Sequence, residues 1–458
     1  MQGKAIQQIR WGSTGDPLNG LTITWRNTGT HDSIQWGYSS SITNGTFAGV
    51  KRNGYFDFFF DYTFPSVTPN STIYYELFDS HTSSWGSQMT FITAPPVNTT
   101  IFSFLALGDS RTNTGMWSQI ATLCNSKHAN FTTFTGDCVN DGTSNSSWDN
   151  WFNNGVQYLR NNLFYHCIGN HDASDTAKFE NIFTLPKASN TELHYFFIYG
   201  NAIFICMNSE DITTSEYNWM VNILQANQSK TWKVVFFHRP FFTSGPHTGE
   251  MNGLLSTWWA AFDTYGVDLV LNGHDHMYER SKPINYSVSH TAPVSQYGSG
   301  PGQGRCEIVC GGAGAPLYTG SPTWFIQTYQ STYHFCKINV NDHILTDSTF
   351  NVNGRLIETF SINKYGTGIE NNNQVFNPIS CDPNPTQGSF TIHYHSSVNG
   401  EVMITVIDMH GNKVAQEKTQ KTRDDLEYKF DLSKLAKGVY IVQVEMRNQK
   451  DRTMLEVK

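Results

Sequence analysis

Charge is scarce in this 458-residue chain: 15% of its residues are Asp, Glu, Lys or Arg, and the formal net charge is −8. With 30 basic against 38 acidic residues there is no cationic surface to neutralise a nucleic-acid backbone, so no nucleic-acid partner is expected. No apolar run reaches the roughly 18 residues that a membrane-spanning helix needs, so no direct membrane span is expected. The eight cysteines include no Cys-x-x-Cys pair, the spacing of zinc ribbons and thioredoxin-type sites. Cys306 and Cys310 stand four apart in an alternating segment where a bridge could form, and the other pairings are open. Gly311-Gly312-Ala313-Gly314-Ala315 lacks the following Lys-Ser/Thr of a P-loop and reads as a tight strand-to-loop turn near the functional site. The opening Met1-Gln2-Gly3-Lys4 is not a signal peptide. If the protein is exported, its signal is expected to have been removed.

Five short segments, by contrast, are dense in metal-ligating side chains. They are Gly108-Asp109-Ser110-Arg111, Gly136-Asp137, Gly169-Asn170-His171-Asp172, His238, and Gly273-His274-Asp275-His276. Four of them follow β-like apolar runs, Phe102 to Leu107, Phe131 to Thr135, Val234 to Phe237 and Leu269 to Leu271. That places Asp, Asn and His in loops at strand ends, and in an open α/β sheet the crevice outside the carboxyl ends of the strands is where ligands bind. Carboxylate and amide oxygens mixed with imidazoles suit Mn, Fe, Zn or a mixed pair. Two such ions about 3.5–4 Å apart polarise a phosphate ester and generate a hydroxide.

In their order and context these segments resemble the metallophosphoesterase superfamily, and within it the purple acid phosphatases, over about Ile101 to Ile362. The resemblance implies a catalytic domain over residues 100–362, built of two packed sheets flanked by helices. It implies Asp109 and His276 on one metal, Asp137 bridging both, and Asn170, His238 and His274 on the other. His171 is implied beside the phosphate as donor or general acid, oriented by Asp172. His247, in the segment His238 to His247, is implied as a second pocket histidine. Asn170, His171, His247 and Arg111 would contact substrate. The implied cofactors are two divalent or trivalent ions.

Two positions depart from the family pattern. Purple enzymes carry an iron-binding Tyr three residues after the bridging Asp; here that residue is Asn140, so no tyrosinate colour is implied from it. The wider superfamily reads Asp-x-His in the first segment; here the third residue is Arg111. A guanidinium offers no lone pair to a metal. Arg111 either clamps a phosphate oxygen, for which its fork is suited, or pairs with a nearby carboxylate. Asn140 either adds a neutral oxygen ligand or caps the Asn140-Asp141-Gly142 turn.

The flanks read as β-structure, making the chain multidomain. Leu21 to Trp25, Ser33 to Tyr38, Thr72 to Leu77 and Gln88 to Thr93 alternate as strands. Residues 5–95 resemble the fibronectin type III-like domain that precedes the catalytic domain in purple acid phosphatases, and Pro95-Pro96 reads as the linker. Gly115 to Cys124, Ser147 to Leu159 and Ser215 to Gln225 read as helices, the last opened by Ser215. Asn363 to Phe376 is polar and reads as a second linker. From Lys413 to Lys458, 19 of 46 residues are charged, which marks a separate module. With Asn384-Pro385-Thr386-Gln387-Gly388, the Leu435 to Tyr440 stretch, strands over Glu401–Met409 and Gly438–Met446 and a turn at Asp408 to Asn412, residues 377–458 resemble the type IX secretion sorting domain of Bacteroidetes, a small β-sandwich.

The expected function is therefore a secreted or cell-surface phosphatase acting on small phosphomonoesters, with the type IX machinery as its partner. A phosphodiesterase acting on nucleotides or glycerophosphodiesters, and a non-catalytic surface binding protein on a phosphatase scaffold, are the alternatives.

Overall fold

The computed structural model describes residues 6–55, 57–364, 379–395, 400–408, 412–422, 425–431, 435–446 and 449–458. The chain forms two compact units, residues 1–370 and 371–458. The first opens with two β-sheets. One orders strands Gln7–Ser13, Leu21–Asn27, Phe58–Thr63 and Val50–Asn53; the other joins Thr46–Ala48, Ser33–Gly37, Thr72–Asp79 and Ser84–Trp85, with Met89–Ile92 also on Thr72–Asp79. Strict alternation in Thr72–Asp79 buries every second residue, as a strand with one face on a core must.

Two larger sheets follow. Ile101–Leu107, Phe131–Phe134 and Phe164–His166 run parallel in a six-stranded sheet completed by His334–Asn341, Ile344–Asn351 and Leu356–Asn363. Ala202–Cys206, Trp232–Phe236, Leu269–Asn272 and Cys306–Cys310 run parallel in a seven-stranded sheet. Alternation sets the layers. Ala202, Phe204 and Cys206 join the core between the sheets, while Ile203 and Ile205 join a second core on the outer face. Phe104 and Phe131 of one sheet meet Phe204 of the other with ring centroids 5.0 and 5.1 Å apart. Edge-to-face contacts of this kind add to the area they bury.

Helices cover both outer faces. Thr114–Asn125 and Asn145–Leu159 pack through Trp117 and Trp151, stacked at 5.7 Å. Thr214–Ala226 and Ala260–Tyr265 pack through Met220, Leu224 and Phe262. The cap of Thr214–Ala226 is Thr213, whose side chain accepts from the Glu216 amide at 3.2 Å, rather than Ser215. A Thr side chain one position before the first turn reaches the N3 amide, and Ser215 already lies within the turn.

Pro95-Pro96 follows the last N-terminal strand, yet the two β-sheets it trails share a core with the larger pair. Trp11 donates to the Arg160 carbonyl at 2.9 Å, Arg10 to the Ile182 carbonyl at 2.7 Å, and Arg26 pairs with both Asp57 and Asp149. All eight cysteines are free. Cys306 and Cys310 occupy opposite ends of one strand; at about 3.3 Å per residue they stand beyond the reach of a disulfide.

The second unit pairs Ile379–Asp382, Ser389–His395 and Asp425–Asp431 in one sheet and Lys413–Lys421, Gly400–Asp408, Gly438–Met446 and Gln449–Val457 in another. Phe390, Ile392, Val402, Ile404, Val442 and Leu455 form its core. Asp408 and Asn412 close the expected turn with a 2.9 Å backbone bond. The expected linker, from residue 365 on, lies outside the described residues.

Candidate metal centre

The parallel strands of both sheets end at one place, and the five segments meet there. The segment Gly169 to Asp172 also follows a strand, Phe164–His166, too short to stand out in the sequence. Three of the acceptor-bearing residues hold left-handed backbone angles: Asp109 (φ 58°), Asp137 (φ 56°) and His274 (φ 68°). Such angles cost non-glycine residues of order 1–3 kcal/mol each and persist where the surroundings over-determine them. Each follows a glycine at the turn. Tight approach explains two glycines in the set: a Cβ on Gly169 would fall 2.2 Å from Asp137 Oδ1, and one on Gly273 would fall 2.3 Å from Asp109 Oδ2.

Four donor atoms converge around His238. Its Nε2 lies 2.9 Å from Asn170 Oδ1, 3.2 Å from His274 Nδ1 and 3.5 Å from Asp137 Oδ1. The other ring nitrogen of His238 donates to the Thr135 carbonyl at 2.8 Å, so in the neutral ring Nε2 presents its lone pair to these acceptors. His274 Nε2 lies 3.2 Å from both Glu250 and Arg239; with its proton toward Glu250 the Nδ1 lone pair faces inward, and with Nε2 accepting from Arg239 the proton is on Nδ1. Converging lone pairs repel unless a cation or a proton lies among them. The charges of Asp137 and Asp109 outweigh burial and raise the His238 pKa. Backbone or carboxylate acceptors on the far nitrogens are what metal-ligating histidines use to fix their tautomer. These residues therefore fit an ion. Asp109, Asp137 and His238 also bring one donor atom each within 4.8 Å of one another, as do His247, Glu250 and His274.

The position expected for the other ion is built differently. His276 donates from Nδ1 to the Pro316 carbonyl at 2.7 Å and turns Nε2 toward Asp109 Oδ1, 3.5 Å away. Arg111 enters this space. Its Nε donates to Asp137 Oδ2 at 3.0 Å, one terminal nitrogen to Asn140 Oδ1 at 3.3 Å and the other to His276 Nε2 at 3.2 Å. Arg111 is thus paired with the Asp137 carboxylate, with part of its fork left over. The Asn140 side chain accepts from Arg111 and Thr112. The donors here do not fit a second ion while the guanidinium holds their lone pairs.

His171 is half-exposed on the open side, with Nδ1 2.8 Å from the Asn140 carbonyl and Nε2 4.0 Å from Asp137 Oδ2. Asp172 does not orient it. Its buried carboxylate accepts the amides of Cys138, Val139 and Gly169, each at 3.2 Å, tying the Asp137 loop to its own. Burial first, then the charge of Asp137, pushes the Asp172 pKa up to about 7. The carboxylate–imidazole pair lies elsewhere: His247 Nδ1 sits 2.7 Å from buried Asp275, and the His247 ring lies 3.8 Å from that of His274. Sequence reasoning assigned no role to Asp275, Glu250, Arg239 or Tyr318. Arg239 joins Glu210 (2.8 Å) and Glu250 (2.5 Å), and Tyr318 stacks on His276 at 4.2 Å. Adjacency was the available signal, since Arg239 follows His238, Asp275 lies between His274 and His276, and Glu250 stands three after His247.

The family model of calcineurin-like phosphoesterases matches residues 102–278, and that of the secretion system C-terminal sorting domain matches 382–457. Residues 102–278 are a calcineurin-like phosphoesterase domain. The chain's relatives include purple acid phosphatases. It is 28% identical over 202 residues to a probable inactive purple acid phosphatase of Arabidopsis thaliana, covering 40% of this chain and 32% of that one. It is 31% identical over 165 residues to an Fe(3+)-Zn(2+) purple acid phosphatase of the same plant, covering 31% and 34%. These matches span about a third of each relative. A purple acid phosphatase from yellow lupin (Lupinus luteus) seeds shares the fold, with a TM-score of 0.66 and 17% identity over 78% of this chain and 74% of that one. The phosphoesterase domain thus carries the five donor-bearing loops, and residues 382–457 form a sorting domain. No helix among the described residues is long and apolar enough to cross a membrane.

Proposed function

We propose that this chain is an exported, metal-dependent hydrolase of phosphate monoesters. The observation that carries the reading is the convergence of Asp137, Asn170, His238 and His274, with His171, His247 and Arg111 beside them. A resident ion supplies Lewis-acid polarisation of a phosphoryl oxygen. The chain's own groups do the rest. Arg111 has five N–H groups; it engages Asp137, Asn140 and His276, and the remaining capacity of the fork stabilises an equatorial oxygen, where charge develops. His171 donates through Nδ1 to the Asn140 carbonyl, so its Nε2 faces the leaving oxygen as proton donor in the doubly protonated ring. His247, held by Asp275, is the second candidate for that role. Asp172 fixes the loops that carry Asp137 and Asn170.

The sorting domain supports export and recognition by a type IX secretion machinery, with the enzyme released or left at the cell surface. In this reading residues 5–95 are a fibronectin type III-like module, 100–362 the catalytic domain and 377–458 the sorting domain. The partners are then a small phosphate ester and the secretion machinery.

Rates on p-nitrophenyl phosphate and bis-p-nitrophenyl phosphate, with Mn, Fe, Zn or Ca supplied in turn, test the assignment. Faster monoester turnover, lost together with bound metal in Asp137→Ala, is expected. Faster diester turnover would make the chain a phosphodiesterase acting on nucleotides or glycerophosphodiesters. Absence of turnover on both would favour a non-catalytic binding protein, a reading supported by the relative named as inactive.

A further inference from the structure

We propose that the centre holds one resident ion, among Asp137, Asn170, His238 and His274, and that the Arg111 guanidinium stands where a second would be. The inference rests on the metal-dependent reading above. Three acceptors that would surround the second ion are instead turned on one guanidinium: Asp137 Oδ2 at 3.0 Å, Asn140 Oδ1 at 3.3 Å and His276 Nε2 at 3.2 Å. The His276 bond is chemically decided. Its Nδ1 proton is held by the Pro316 carbonyl at 2.7 Å, so Nε2 has a lone pair and Arg111 fills it. A guanidinium stays protonated, offers no lone pair and cannot share its place with a cation.

The backbone and neighbours hold Arg111 there. Thr112, the next residue, has φ 75°, a strained angle for a β-branched residue. Tyr318 stacks on His276 at 4.2 Å with its plane 18° from the imidazole, which fixes the ring that accepts from Arg111. The guanidinium side chain is 13% exposed, so it is packed into the centre. In the other group of potential ligands a guanidinium already stands: Arg239 lies 2.5 Å from Glu250 and 3.2 Å from His274 Nε2. What remains is one cation site flanked by a fixed positive charge. That charge balances Asp137 without metal and gives an incoming phosphate an N–H fork in place of a second Lewis acid.

The test counts ions. The full chain is saturated with Mn2+, freed of excess by gel filtration, and measured by elemental analysis and electron paramagnetic resonance. The wild type is expected to carry one Mn2+ per chain with the six-line signal of an isolated ion, and His238→Ala to lose it. Arg111→His, which restores an imidazole at that position, is expected to carry two with an exchange-broadened signal. Two ions in the wild type would overturn this inference and leave the metal-dependent reading standing; no ion would overturn both. An ion retained in His238→Ala would place it at His247, Glu250 and His274 and overturn the assignment. A folded Arg111→His variant that still binds one ion would show that Arg111 does not exclude the second. The wild-type count alone decides the point if that variant does not fold.

Discussion

Replacing Gly169 by alanine tests whether the centre depends on the tight approach of its loops. The added Cβ would stand 2.2 Å from Asp137 Oδ1 and 2.3 Å from the Asp137 amide nitrogen. Ordinary contact begins near 3.4 Å, so the carboxylate or the Gly169 loop must retreat by about 1.2 Å (3.4 − 2.2). Asp137 has little freedom to do so. Its oxygens are held at 3.0 Å by the His171 amide and at 3.0 Å by Arg111, and its backbone is already at φ 56°. Overpacking of this kind costs about 1–3 kcal/mol, which lowers the melting temperature by a few degrees in a domain of this size. A displacement of about 1 Å at a reacting centre costs on the order of 100-fold in turnover. Monoester turnover, bound metal and thermal midpoint, measured together, should all fall in Gly169→Ala. Gly253→Ala, where nothing lies within 4 Å of the added atom, should match the wild type. Wild-type turnover and metal content in Gly169→Ala would refute the argument that loop approach fixes Asp137.

Other consequences are separately measurable. Asp275→Asn removes the carboxylate that holds His247 at 2.7 Å; kcat should fall about 10–100-fold with KM little changed, and an unchanged kcat would remove His247 from proton transfer. Burial raises the carboxyl pKa of Glu216 and Glu307 to about 8 and of Glu279 and Asp347 to about 7. Between their unfolded values and these, the folded chain binds more protons, so stability falls as pH rises. In chelator, the melting temperature should be higher at pH 5 than at pH 8, and the opposite order would contradict these assignments. Deleting residues 377–458 should leave purified turnover unchanged and hold the protein in the periplasm of its native host; appearance of the truncated protein in the medium would make the tail a binding module.

Local pattern carried the strands and helices. The helices expected at Ser147 to Leu159 and Ser215 to Gln225 differ from Asn145–Leu159 and Thr214–Ala226 only at their ends, where capping rather than period decides. The donor loops were legible because Asp, Asn and His in a fixed order after apolar runs have few structural uses. The docking of the N-terminal sheets was not, because Trp11 with Arg160 and Arg10 with Ile182 are contacts between residues about 150 apart or more. Periodicity shows that a residue is buried and says nothing of what covers it.

Chain adjacency is a poor guide to the partners of these polar side chains. Asp172 follows His171 in sequence, yet a strand-end turn sends consecutive side chains apart: one enters a nest of three amides and the other meets the Asn140 carbonyl. Asp275, to which sequence reasoning assigned no role, reaches His247 on another loop. Arg111 shows the limit most clearly. Its residue type allowed a phosphate clamp or an ion pair, and the choice depends on which acceptors the two sheets bring within reach of its fork. Asp137 comes from the six-stranded sheet and His276 from the seven-stranded one. Only the packing of the sheets brings both to one guanidinium, so a motif read along the chain cannot distinguish an arginine beside a metal from one standing in its place.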